Sequence, residues 1–244
     1  MKKEFWKEWK KISKLEKDAI ISLQKAKKII LQNIPKEAIV SIYVKGSFIR
    51  RELNKNSDVD TSTIVKHSKW LKKLMWLQKK YSKSLSPHVD FSGYSLWELK
   101  NNQKSLVGKK DRTAPNRAVE HLDTYRLICG KSLNKKDFLQ APHSKRLASM
   151  IKTFHSLFLP GYLEGQFSFI QIVKQVFWLI ENEQKALGKT PSHSWAGMAN
   201  SIKDKTHIIH DTAKFRNNLP LDNVKKEKYI KKLKQYIAKL EKTI

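Results

Sequence analysis

Two carboxylates stand one residue apart in Asp58-Val59-Asp60, ten residues after the pair Gly46-Ser47. The preceding run Ala38–Val44 is apolar and β-branched and reads as a strand; Gly46-Ser47 reads as a turn into a short helical segment, and Val59–Val65 as a second strand. Side chains alternate along a strand, so Asp58 and Asp60 point to one side and Val59 to the other. At about 4 Å two carboxylates repel by roughly 1 kcal/mol in water and roughly 4 kcal/mol at an effective dielectric of 20. Folding gains nothing from that placement, and a divalent cation removes the penalty. The bland alternative makes Asp58 a turn residue after Asn54-Lys55-Asn56-Ser57 and Asp60 a solvent-facing strand residue.

Gly-Ser, ten residues and then Asp-x-Asp is similar to the signature of the DNA polymerase beta-type nucleotidyltransferase superfamily. The resemblance covers roughly residues 35 to 95. It implies a third carboxylate on a later strand, for which Asp90 in His88-Val89-Asp90-Phe91-Ser92-Gly93-Tyr94 is the candidate, with Glu98 as the fallback base. It further implies transfer of a nucleoside monophosphate, AMP from ATP before other nucleoside triphosphates, to an acceptor hydroxyl with loss of pyrophosphate. Asp58 and Asp60 would be shared between two magnesium ions, and Asp90 would hold the ion that activates the acceptor. Two departures stand out: Thr61-Ser62-Thr63 where the family runs apolar, and Lys45 directly before the glycine.

Amides exposed at the start of a helical turn bind phosphate oxygens, which makes Gly46 and Ser47 nucleotide-binding candidates as well as an ordinary turn glycine and capping serine. Arg50 and Arg51 fall within the same turn, where a guanidinium reaches a triphosphate in bidentate fashion or stays solvated; Lys45 faces the same choice.

The elements that must position these groups follow from periodicity. Phe5, Trp9, Ile12, Leu15, Ala19, Leu23, Ala26 and Ile30 recur at helical spacing before Pro35, and Trp70, Leu71, Leu74, Met75, Leu77 and Gln78 form a helical patch suited to cover a sheet face. Beyond Tyr94 come a helix over Leu96–Asn101, a basic loop over Lys104–Pro115 and a helix over Ala118–Cys129 ending at Gly130 as a C-cap. Asp123–Lys131 loosely resembles the helix and glycine that close the catalytic domain of aminoglycoside adenylyltransferases. Four helical segments follow, near 143–158, 167–187, 192–216 and 222–243, separated by Pro160-Gly161, Gly188–Pro191 and Leu219-Pro220. The expected fold is α+β: a small mixed sheet with flanking helices over residues 1–135, then an all-helical bundle over 136–244.

The net charge of +28, carried mostly by dispersed lysine, fits either attraction to polyanions or biased composition. Cys129 is the single cysteine, which excludes an intrachain disulfide and a multi-cysteine zinc site; with no apolar leader or spanning run, a cytoplasmic protein without a membrane partner is expected. His207, His210 and Asp211 have a spacing that could bind zinc, without a further ligand placed by sequence. The expected acceptors are an aminoglycoside-like small molecule, suggested by the two-domain resemblance, or RNA, suggested by the charge; a protein hydroxyl is a third option. The alternative is a non-catalytic nucleic-acid-binding or antitoxin-like protein that keeps the fold, and the position of Asp90 separates the two.

Overall fold

A computed structural model of the chain describes residues 4–55, 57–105, 107, 114–217 and 222–243. Most of the 104–115 loop and the Leu219-Pro220 break lie outside these residues. The chain divides into two compact units, Met1–Gln140 and Ala141–Ile244.

In the first unit a 3-10 turn at Phe5–Glu8 leads to α1 (Lys14–Asn33), opened by a capping box in which Ser13 and Glu16 satisfy each other's backbone amides. Then come β1 (Ile39–Lys45), the single turn α2 (Ser47–Arg50), β2 (Val59–Val65) and α3 (Lys69–Tyr81). The short strands β3 (Val89–Asp90) and β4 (Gly93–Ser95) precede α4 (Leu96–Asn101), α5 (Pro115–Glu120) and β5 (Arg126–Gly130). The sheet is mixed, in the order β3-β2-β1-β5 with β4 also on β2; β1 runs antiparallel to β2 and β5, and β2 parallel to β3 and β4.

Strand alternation sorts this sheet into two faces. Ile42, Val44, Val59 and Val65 pack against Leu23, Ala26 and Ile30 of α1 and Leu71, Leu74 and Leu77 of α3. Tyr43 and Ile64 face the other way, into a smaller cluster with Tyr94, Leu99, Val119 and Leu122. Asp60 stands between Val59 and Thr61, so it shares the face of Ile64 and Tyr43.

The segment expected to be one helix over Ala118–Cys129 is instead α5 followed by β5. Arg126–Gly130 lies along the edge of β1, with Leu127 opposite Tyr43 and Cys129 opposite Ile42. A short apolar run does not distinguish strand from helix until a ladder partner is present. Gly130 is accordingly no helix cap. Its φ of +83° and the Val40 carbonyl oxygen, which would lie 2.1 Å from an added Cβ, make it the residue that lets the two backbones close.

The second unit is helical. α6 (His143–Thr153) continues through one π turn at Phe154–Phe158 into α7 (Leu159–Leu163), then α8 (Phe169–Ala186), α9 (Trp195–Ser201), α10 (Ile208–Asn217) and α11 (Asn223–Glu241). Ile172, Val176 and Ile180 of α8 meet Ile209 of α10 and Leu233 and Ile237 of α11 in one core. The segment expected over 192–216 is two helices, because Asp204 binds the amide and hydroxyl of Thr206 and turns the chain. Among the described residues no helix is long and apolar enough to cross a membrane.

Candidate active site

The acidic cluster is assembled by register. Asp60 is paired with Lys45 across β1 and β2 and with Asp90 across β2 and β3. Asp58 lies just before β2 and is exposed. Asp60 feels the charges of both other acids, and Asp90 that of Asp58. Burial first, with the charges of Asp58 and Asp90 adding, pushes the Asp60 carboxyl up to about 6, against the opposing pull of Lys45 and Arg50. Asp90 is raised by the same burial and by Asp58, and held back by Lys45 and by the hydrogen bonds it accepts from Ser92.

Gly46 closes the cluster from the β1 side. Its backbone (φ 79°, ψ −152°) lies in a region open essentially only to glycine. An added Cβ would stand 2.2 Å from Asp60 Oδ2. The glycine is thus required twice, by the turn and by the carboxylate seated against it. Ser47 begins α2 directly after it.

Asp90 belongs to a strand of only two residues, and hydroxyls secure it. Thr61 Oγ1 donates to the Asp90 carbonyl at 2.5 Å, while Ser92 Oγ donates to the Thr61 carbonyl at 2.7 Å. Sequence reasoning assigned Thr61 and Ser92 no part in the site; the departure from the family's apolar pattern at Thr61 was their only signal. Ser62 and Thr63 are buried with no partner for their hydroxyls among the described residues.

The two arginines separate. Arg50 Nε pairs with Glu52 Oε2 at 2.8 Å, close enough to the cluster to act on Asp60. Arg51 has a left-handed backbone (φ 60°) and turns back to the start of the chain. Its Nε meets buried Glu16 at 2.7 Å, Nη2 reaches the Lys11 carbonyl, and its guanidinium lies 4.8 Å from the Trp9 ring centroid. That hydrogen bond holds the Glu16 carboxyl down at about 2. Arg51 therefore ties α2 to the start of α1 in this structure, whereas the sequence places it as a candidate beside the phosphates.

Glu98, the fallback base, is also structural. It is fully buried and accepts from the Ser95 amide at 2.9 Å and from Ser105 N and Oγ at 2.7 and 2.8 Å. The zinc option in the second unit dissolves in the same way: His207 faces Glu183, His210 meets the Asp204 carbonyl, and Asp211 pairs with Lys232.

Residues 23–117 match the family model of the nucleotidyltransferase domain. No protein of curated function matches the chain in sequence. Among solved structures, the fold is similar to spectinomycin adenyltransferase AAD(9) from Enterococcus faecialis, solved with ATP and spectinomycin. The match has a TM-score of 0.51 at 14% identity and covers 88% of this chain and 99% of that one. Residues 23–117 are therefore similar to a nucleotidyltransferase domain, in a chain whose α+β unit is followed by a helical one as in that fold.

Proposed function

We propose that the chain transfers a nucleoside monophosphate, AMP from ATP in the first instance, to an acceptor hydroxyl in a reaction dependent on a divalent metal. The observation that carries this reading is Asp60: a half-buried carboxyl in register with Asp90, near Asp58, and seated against a glycine that nothing larger can replace. Uncompensated negative charge surrounded by oxygen donors fits magnesium, and Asp58, Asp60 and Asp90 are the residues that would hold it, as two ions. Bound there, the metal supplies charge stabilisation for the attacking and leaving oxygens.

The chain's own groups do the rest. The backbone amides at Gly46 and Ser47 and the Ser47 hydroxyl bind the phosphates of the donor, and Arg50 adds a cation beside them. Lys45, opposite Asp60, opposes the rise of the Asp60 and Asp90 carboxyls. Asp90 orients the acceptor hydroxyl and takes its proton as the oxygen bonds to the α-phosphorus, the bond to the β-phosphate oxygen breaks and pyrophosphate leaves. The 1–135 segment would be the catalytic domain, and 136–244 a helical domain appended to it. Among acceptors we place an aminoglycoside-like small molecule first, because the AAD(9) structure was solved with spectinomycin, and RNA second.

The test is incubation of the pure protein with magnesium and each of the four labelled nucleoside triphosphates, alone, with an aminoglycoside panel and with RNA. Labelled product that disappears in Asp60→Asn and Asp90→Asn is expected. No transfer from any of the four to any acceptor would sink the reading and favour a protein that keeps the fold without turnover.

A further inference from the structure

α3 lies on the sheet face opposite the acids and buries Leu71, Leu74 and Leu77. Its outward side is basic and aromatic, with Met75 also exposed. The helix has five lysines and no acid, and among the described residues no carboxylate pairs with any of the five. The contrast with α11 is that its seven lysines are accompanied by Glu227 and Glu241, and Lys232 pairs with Asp211. Aromatic rings are set into this basic side. Trp76 is 42% exposed, with Lys73 Nζ 4.0 Å and Lys80 Nζ 4.8 Å from its ring centroid; Lys80 is also 5.2 Å from that of Tyr81. The helix spans about 20 Å, and α1 packed beside it exposes Lys17, Lys25 and Lys28.

We propose that this face of α1 and α3 is a docking surface for single-stranded nucleic acid, distinct from the acidic site and independent of the reaction proposed for it. Lysines in rows neutralise successive phosphates, and an exposed indole and phenol offer the planes on which unpaired bases stack. An anionic membrane is the other polyanion to weigh. It needs a continuous apolar patch to insert; Met75 is 44% exposed beside Trp76, but the indole itself is bracketed by two ammoniums.

Binding is measured by fluorescence anisotropy with a labelled 20-nucleotide oligouridylate, without nucleotide or divalent cation, and repeated in Asp60→Asn so that failure of the catalytic reading leaves the result untouched. With about six phosphate contacts, wild-type affinity should fall roughly 300-fold between 50 and 200 mM salt. Joint replacement of Lys72, Lys73, Lys79 and Lys80 by Gln should reduce that dependence to about 7-fold. Trp76→Ala, with every lysine intact, should weaken binding roughly 5- to 100-fold. The decisive control replaces Lys228, Lys231, Lys234 and Lys239 of α11 by Gln, which changes net charge equally and should leave the wild-type salt dependence in place. Equal losses in the two quadruple variants, no binding at 50 mM salt, or tighter retention on phosphatidylserine vesicles than on the oligonucleotide would each overturn the proposal.

Discussion

Replacing Asp60 by Asn should stabilise the metal-free protein while abolishing transfer. In the folded chain the Asp60 carboxyl is pushed from 3.8 up to about 6, mainly by burial and then by Asp58 and Asp90. A carboxyl raised on folding binds its proton more tightly in the native state, so below about pH 3.8 it costs nothing. Between 3.8 and about 6 the unfolded chain ionises first and native stability falls; above about 6 the penalty is complete, at about 3 kcal/mol before allowance for partial solvent exposure. Asn keeps the shape and removes the charge. The difference between variant and wild type should therefore be near zero at pH 4 and grow to about 2 kcal/mol in favour of Asn at pH 7. Urea unfolding in EDTA measures it, and tryptophan emission reports mainly the first unit, which holds five of the seven tryptophans. With magnesium and a non-hydrolysable ATP analogue at 100 times the dissociation constant, wild type should gain about 2.7 kcal/mol that the variant lacks, reversing the order. A variant less stable than wild type at pH 7 in EDTA, or a difference flat from pH 4 to 7, would refute the account of the cluster.

Gly46→Ala should lower transfer by roughly 100-fold or more, since a Cβ would displace the Asp60 carboxylate and a misplacement of about 1 Å is enough for such a loss. The left-handed backbone adds about 1 to 3 kcal/mol of destabilisation, read from the urea midpoint; wild-type turnover would remove Gly46 from the site. Arg50→Ala and Arg51→Ala should diverge: the first raises KM for the triphosphate with little change in stability, whereas the second lowers the urea midpoint by stranding buried Glu16 and leaves KM within a few-fold. Steady-state kinetics and unfolding on both variants check this, and the opposite pattern would reassign the two side chains.

These pairs show where sequence reasoning ran well and where it stopped. The place of Asp60 on β2 is legible because alternation along a strand is a local property, although Asp58 lies just before that strand; the helical stripes of α1 and α3 are legible because their period is local too. Arg50 and Arg51 have the same charge at adjacent positions; their separation depends on one left-handed residue and on a partner 35 positions away. Glu98 could have been recognised as structural, since Ser95-x-x-Glu98 is a capping-box spacing, but the Ser105 bonds that bury it arise only from the folded loop. β5 was misread because its strand character resides in the ladder with β1 rather than in its own five residues.

Thr61 shows how a local departure acquires meaning from the fold. An apolar residue at that position would fill the same space beneath α1 and α3, yet the adjoining strand has only two residues, Val89 and Asp90. So short a strand has few ladder bonds to hold its register against the repulsion between Asp90 and its neighbouring acids. The reciprocal bonds from Thr61 Oγ1 to the Asp90 carbonyl and from Ser92 Oγ to the Thr61 carbonyl pin that backbone from both sides. Each contributes about 1 kcal/mol net, of the same order as the repulsion they oppose at the partly solvated edge of the sheet. The hydroxyls that set this chain apart from an apolar pattern are thus the groups that keep Asp90 in register with Asp60.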